Sequence, residues 1–175
     1  MRFLIILLFT ILCGYSYSQE ENYPIPTQTE ELLFYIQRNH NANTIIYDAN
    51  FDKEGDLLNN NPIDVYWCRY EEESQRMELR SPERWYAYGV TCDKVKSEPV
   101  YKVELVAEKE KEFWLKQTAA YNAILVTEID DKLSKLEHLY IFADNAGIWP
   151  IVKYIELFGI DLQTGEETKQ KIILE

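Results

Sequence analysis

Histidine is almost absent from this chain. His40 and His138 are the only two, and neither has a second histidine or a cysteine at ligand spacing, so the usual metal arrangements have no candidate. Asp48-Ala49-Asn50-Phe51-Asp52 opens like a calcium loop, but Lys53 stands where the glycine belongs and Asn59 where the final glutamate belongs, so the stretch reads as a turn. Glycine is equally sparse, at six residues, and none sits in a phosphate-cradling loop or a Gly-x-Ser-x-Gly elbow; His-Glu-x-x-His is missing too. Thirty acidic residues guarantee that some carboxylates lie close together, so a carboxylate pair is no signal of glycoside hydrolysis here. Three cysteines, none in Cys-x-x-Cys spacing, argue against redox catalysis. The longest apolar run, Phe3 to Leu12, is well short of the roughly 20 residues that span a bilayer.

That run has a different meaning at the start of the chain. Arg2 precedes it and Ser16-Tyr17-Ser18 comes after it with small residues, the arrangement of a signal peptide over residues 1–18 with the mature chain beginning at Gln19. Cys13 sits behind Leu12 rather than a small residue, which argues against lipidation. The reading is an exported protein, periplasmic or extracellular, with no membrane attachment after cleavage. Its formal charge is −12, and removing residues 1–18, whose one charged side chain is Arg2, leaves −13. Such a balance excludes nucleic acid, whose phosphates demand clustered Lys and Arg, and keeps an exported chain dispersed. It also leaves room for a cationic partner. Cys68 and Cys92 survive processing, and an oxidising compartment would permit a disulfide between them. Two separate buried thiols are the alternative.

Residues 19–31 are polar, carry Pro24 and Pro26, and read as a flexible tether before a single β-rich domain over residues 32–175. From Leu32 onward, short apolar and aromatic runs alternate with turn residues. Nine strands are predicted: Leu32–Asn39, Thr44–Phe51, Ile63–Tyr70, Tyr101–Glu108, Glu112–Gln117, Asn122–Ile129, Leu136–Ala143, Val152–Asp161 and Glu167–Leu174. Gly55 and Gly165 supply turns able to take positive φ. Ser81 as N-cap and Pro82 at the first helical position predict a short helix over Pro82–Tyr88, with Gly89 as its stop. The expected fold is mainly β, an antiparallel β-barrel or β-sandwich of about nine strands with one short helix.

Alternation places side chains on faces. Ile63, Val65, Trp67 and Arg69 share one face of their strand, and Phe34, Ile36 and Arg38 share one face of theirs. Two arginines therefore continue apolar faces, where a guanidinium needs a carboxylate or carbonyl partner. If Arg38 and Arg69 point into a common interior, their forked donors suit the carboxylate or phosphate of a ligand. Tyr47, Trp67, Tyr86, Tyr88 and Trp149 would wall the pocket, with Arg38, Tyr47, Trp67, Arg69 and Tyr88 as the ligand-binding set. Both arginines also stand at strand ends, where they can reach water or the chain's own acids.

The stretches Phe34-Tyr35-Ile36-Gln37-Arg38, Asn43-Thr44-Ile45-Ile46-Tyr47, Asn61 to Tyr70, Ala87-Tyr88-Gly89-Val90 and Val152 to Gly159 together resemble an uncharacterised family of exported bacterial proteins, domain of unknown function 4833. The resemblance implies one compact domain and export, and it carries no catalytic residue over. Three functions are compatible with these residues. The first is non-catalytic binding of a small apolar or anionic molecule, with no cofactor or metal. The second is an interaction module without a pocket, holding a cationic protein or a glycan. The third is a hydrolase with an unrecognised site, which would need His40 or His138 beside a carboxylate.

Overall fold

The computed structural model describes residues 23–96, 98–144 and 150–174; residues 1–18, read as a signal peptide, and Gln19, Ser97 and Trp149 lie outside them. The described residues form eleven strands: β1 (Leu32–Arg38), β2 (Asn41–Ala49), β3 (Ile63–Arg69), β4 (Gln75–Glu78), β5 (Val90–Lys94), β6 (Val100–Leu105), β7 (Glu108–Ala119), β8 (Asn122–Ile129), β9 (Lys132–Asp144), β10 (Ile151–Asp161) and β11 (Glu167–Ile173). One short helical segment stands between β4 and β5, an α turn over Ser81–Glu83 that widens into a π turn over Arg84–Tyr88. β4 and β5 are absent from the nine predicted strands because both lie at the ends of the sheet path, and every residue of β4 is exposed. An exposed edge strand has no apolar alternation to betray it.

All eleven strands belong to one sheet, in the order β4-β3-β2-β1-β9-β8-β7-β6-β5, with β10 and β11 branching from β9. The expected antiparallel barrel or sandwich is corrected in two respects: the sheet is mixed, and it curls into a half-barrel that does not close. The mixing arises at a single seam, where β1 pairs parallel to β9 through Tyr35–His138, Ile36–Leu139, Gln37–Tyr140 and Arg38–Ile141. β8 pairs antiparallel with an earlier stretch of the same strand, Lys132–Lys135. Thus β9 holds two strands in succession on one edge and β10 along the other.

A change of face within β9 makes this possible. Ser134 and Leu136 point inward, but so do Leu139 and Ile141, because a bulge opposite Phe158 and Gly159 inserts one extra residue. Gly159 is required there, since a Cβ on it would lie 2.4 Å from the Lys135 carbonyl oxygen and 2.8 Å from the Ile129 Cδ1.

Inside the curl, one apolar cluster joins both wings. Phe34, Ile36, Ile45 and Tyr47 meet Tyr101, Val103, Phe113 and Leu125, all at 0–1% exposure. β1 is buried on both faces, as its continuous run Leu32-Leu33-Phe34-Tyr35-Ile36 suits. On the outer face, the Tyr35 ring stacks on His138 at 5.0 Å and His138 stacks on Phe158 at 4.1 Å. Within the stretch read as a tether, Pro26 is buried, the Pro24 carbonyl accepts from the Gln37 side chain at 2.9 Å, and Tyr23 lies 5.8 Å from the Tyr140 ring.

Alternation also separates the cysteines. Trp67 belongs to the core, so Cys68 faces outward and reaches toward the Ser74 carbonyl; Cys92 packs inward against the core. Both are free thiols, and the disulfide allowed by sequence is not formed. Burial, with Asp93 adding to it, raises the Cys92 thiol pKa to about 12, so it stays protonated at neutral pH.

Two outcomes are expected. Gly159→Ala should destabilise the fold by about 1–3 kcal/mol in urea unfolding, since backbone rather than a mobile side chain occupies the space. His138 is held at a pKa of about 4 against an ordinary 6.5, by burial first and Lys169 second. The unfolded chain then binds a proton that the native state refuses, so stability should fall as pH drops from about 6.5 to about 4. His138→Phe, which keeps the ring stack, should remove that contribution; an unchanged pH profile would rule it out.

Candidate functional site

β1 ends at Arg38 and leads directly into a tight hairpin in which His40 takes φ 60°. The turn is pinned to β9 by Asn39, a buried residue that behaves like one more strand position. Its backbone N–H donates to the Ile141 carbonyl at 3.2 Å, its side-chain amide donates to the Ala143 carbonyl at 2.8 Å, and its side-chain carbonyl accepts from the Ala143 N–H at 2.8 Å. Arg38 is thereby fixed at the mouth of the half-barrel.

A cavity of about 300 Å³ opens beside it. Arg38, Asn39 and His40 form one wall; Ile141 and Ala143 of β9 and Pro150 and Val152 around the start of β10 form another. The helical segment contributes Tyr86, Ala87 and Tyr88, and the β6–β7 turn adds Val106 and Ala107. Apart from the first wall and the tyrosines, the described lining is apolar.

Hydrogen bonds from below hold the helical segment over the mouth. The Tyr47 hydroxyl, fully buried, donates to the Tyr88 carbonyl at 2.7 Å, and Tyr47 itself stacks on Phe34 at 4.2 Å. Burial raises the Tyr47 pKa far above the usual phenol range, so the hydroxyl stays a donor. Gly89 turns the chain out of the π turn where no other residue fits, because a Cβ would lie 2.0 Å from the Arg84 carbonyl oxygen. Its own carbonyl accepts from the Val106 N–H at 3.0 Å, tying the helical segment to the β6–β7 turn.

Trp67 backs the site. Its ring meets Tyr88 edge-on at 5.3 Å and 80°, and the Arg38 guanidinium carbon lies 5.9 Å from its centroid. The indole N–H donates to Glu83 at 3.4 Å, and Glu83 also accepts from the Arg80 backbone at 2.7 Å and the Arg80 guanidinium at 2.6 Å. Burial works to raise the Glu83 pKa, but these donors outweigh it and leave the carboxyl below its ordinary value. Burial likewise raises the Tyr88 phenol, against an opposing pull from Arg38.

Arg38, Trp67 and Tyr88 of the predicted set therefore converge, with Tyr47 behind them as a support that does not reach the cavity. Arg69 is elsewhere: its guanidinium pairs with Glu72 at 2.6 Å and lies near the Met77 sulfur. A shared two-arginine interior is thus corrected to a single arginine, because β3 runs past the mouth and Arg69 is met by a neighbouring acid. Among the described residues no carboxylate forms an ion pair with Arg38, and its Nε is buried without a hydrogen-bond partner. Neither histidine is within ion-pair distance of a described carboxylate; His40 is exposed at the rim and His138 lies in the outer stack. Sequence reasoning missed Asn39, Val106, Ala107, Ile141, Ala143 and Val152, small or aliphatic residues whose only signal is where the chain brings them.

The profile of the family described as Domain of unknown function (DUF4833) matches residues 34–171, and the chain belongs to that family. No curated protein and no solved structure matches it.

Tyr47→Phe removes one buried donor and strands the Tyr88 carbonyl. It should cost about 1–3 kcal/mol in denaturant unfolding. A loss close to zero would show that the Tyr88 carbonyl finds water instead.

Proposed function

We propose that this family member is a non-catalytic binding domain that holds a small molecule in the cavity at the mouth of the half-barrel. One observation carries the reading: Arg38 lines a cavity of mixed polar and apolar surface without a carboxylate partner among the described residues, while the other arginines with assigned ion pairs, Arg69, Arg76, Arg80 and Arg84, each meet an acid. Leaving a partly buried cation unpaired is costly, and a ligand with complementary groups relieves that cost. At about 30 Å³ per water, the cavity has room for about ten non-hydrogen atoms, the size of a small metabolite. Export rests on the Phe3–Leu12 run and the Ser16-Tyr17-Ser18 site.

Native mass spectrometry of the full-length product from an exporting bacterial host tests both halves. A mass beginning at Gln19 with one noncovalent adduct is expected, and Ala107→Trp, which fills the cavity, should lose the adduct. An adduct that survives Ala107→Trp would move the ligand elsewhere.

Trp85 and Tyr86 favour a second reading, an interaction module for a glycan or a cationic protein. They are 69% and 81% exposed on the helical segment beside the mouth, and the chain carries −12. Association that weakens with salt and is lost on replacing both aromatics with serine would support it.

A further inference from the structure

We propose that the cavity ligand is a monocarboxylate with a compact apolar body, its carboxylate gripped end-on by Arg38. The inference rests on the cavity being the binding site and specifies what enters it. The Nε of Arg38 is buried with no acceptor among the described residues, and the guanidinium also donates to the Tyr88 phenol, which leaves the remaining N–H groups of its two terminal nitrogens for a ligand. Their spacing matches the two oxygens of a carboxylate. Trp67 lies behind the guanidinium and limits its swing. Tyr88 also lines the cavity, with its phenol kept protonated by burial, and can give a further hydrogen bond to the same group.

A single charge is what the site can neutralise. Arg38 is the one lysine or arginine in the described lining, and His40 at the rim is exposed. A phosphate dianion would keep one charge uncompensated beside Ala87, Val106, Ile141 and Val152. No acid stands in the described lining to repel a monoanion. The carboxylate linked to the site through Trp67, Glu83, is already matched by Arg80. Ala87, Val106, Ala107, Ile141, Ala143 and Val152 supply apolar surface in the described lining, against which a hydrocarbon body packs. The volume matches a molecule of about ten non-hydrogen atoms, the size of a medium-chain or aryl-alkanoic acid, and leaves most of a long-chain fatty acid outside.

Isothermal titration of the processed protein with octanoate, 3-phenylpropionate, 1-octanol, octyl phosphate and hexadecanoate tests this. Octanoate and 3-phenylpropionate should bind, and octanol, octyl phosphate and hexadecanoate more weakly. Arg38→Met should weaken octanoate by about tenfold to a hundredfold, the value of a charge-assisted hydrogen bond pair. Arg38→Gln serves as a second variant should the methionine protein melt early. Octanol binding as tightly as octanoate, with Arg38→Met unchanged, would overturn the carboxylate and leave the cavity reading standing. Tighter Arg38-dependent binding of octyl phosphate would replace carboxylate by phosphate at the same place. Octanoate binding that survives Ala107→Trp, or no binding of any probe, would overturn both.

Discussion

The parallel seam between β1 and β9 is the constraint on which the rest of the molecule depends. Strands that succeed one another in an antiparallel meander can be built by hairpins alone, but β1 and β9 are joined only by the whole of what lies between them. The seam carries four register pairs, and the Asn39 side chain prolongs it by reproducing the donor and acceptor of one more residue. It is the stretch where a backbone ladder joins the wing from β1 to β4 to the wing from β8 to β5; elsewhere the two are linked by the shared apolar cluster and by side-chain bonds such as Gln117 to the Gly55 carbonyl. The cavity depends on that junction, because its walls come from both wings and from the start of β10.

Charge is distributed with the same economy. Glu72 meets Arg69, Asp64 and Glu78 share Arg76, Glu78 also takes Arg84, and Glu83 takes Arg80. These pairs are largely exposed and contribute little to stability individually, roughly 0–1 kcal/mol each. Their effect is to leave Arg38 without a carboxylate among the described residues, held against Trp67 in a concave setting. An acidic protein can still favour an anion at such a point, since screening confines the field of distant surface acids to about 8 Å at physiological salt.

Much of this was legible in the sequence where a residue's role depends on its immediate neighbours. Alternation in Ile63 to Trp67 matches the burial seen in β3, Gly55 and Gly165 take the positive φ their turns require, and the helical segment stands where Pro82 announces it, though it starts one residue earlier at Ser81 with Arg80 rather than Ser81 as the N-cap. Arg38 was visible as a charge ending an apolar face. Features set by distant chain were not. Parallel and antiparallel neighbours impose the same period of two, so nothing in β1 alone announces β9 as its partner. The bulge that changes the inward face of β9 lies across from a glycine on another strand. Arg69 looks like Arg38 by pattern, and only the position of Glu72 separates them. Cys68 and Cys92 lie on opposite faces, a fact that needs both strands to be placed first.

The branching at β9 has a kinetic side. Asn39 and Ala143 are 104 residues apart, so the contact that seals the seam closes one of the longest loops the chain can make. Such closures are entropically expensive and slow to search for. The hairpins from β5 to β8 need only neighbours and can assemble while β1 has only β2 beside it. Synthesis runs in the opposite sense, since β1 emerges early and, once β2 has covered one edge, its other edge waits, with Leu32-Leu33-Phe34-Tyr35-Ile36 apolar on both faces, until β9 has been made. Completion of this domain is therefore an event of the finished chain, and the interval before it is when its first strand is most open to pairing with the wrong one.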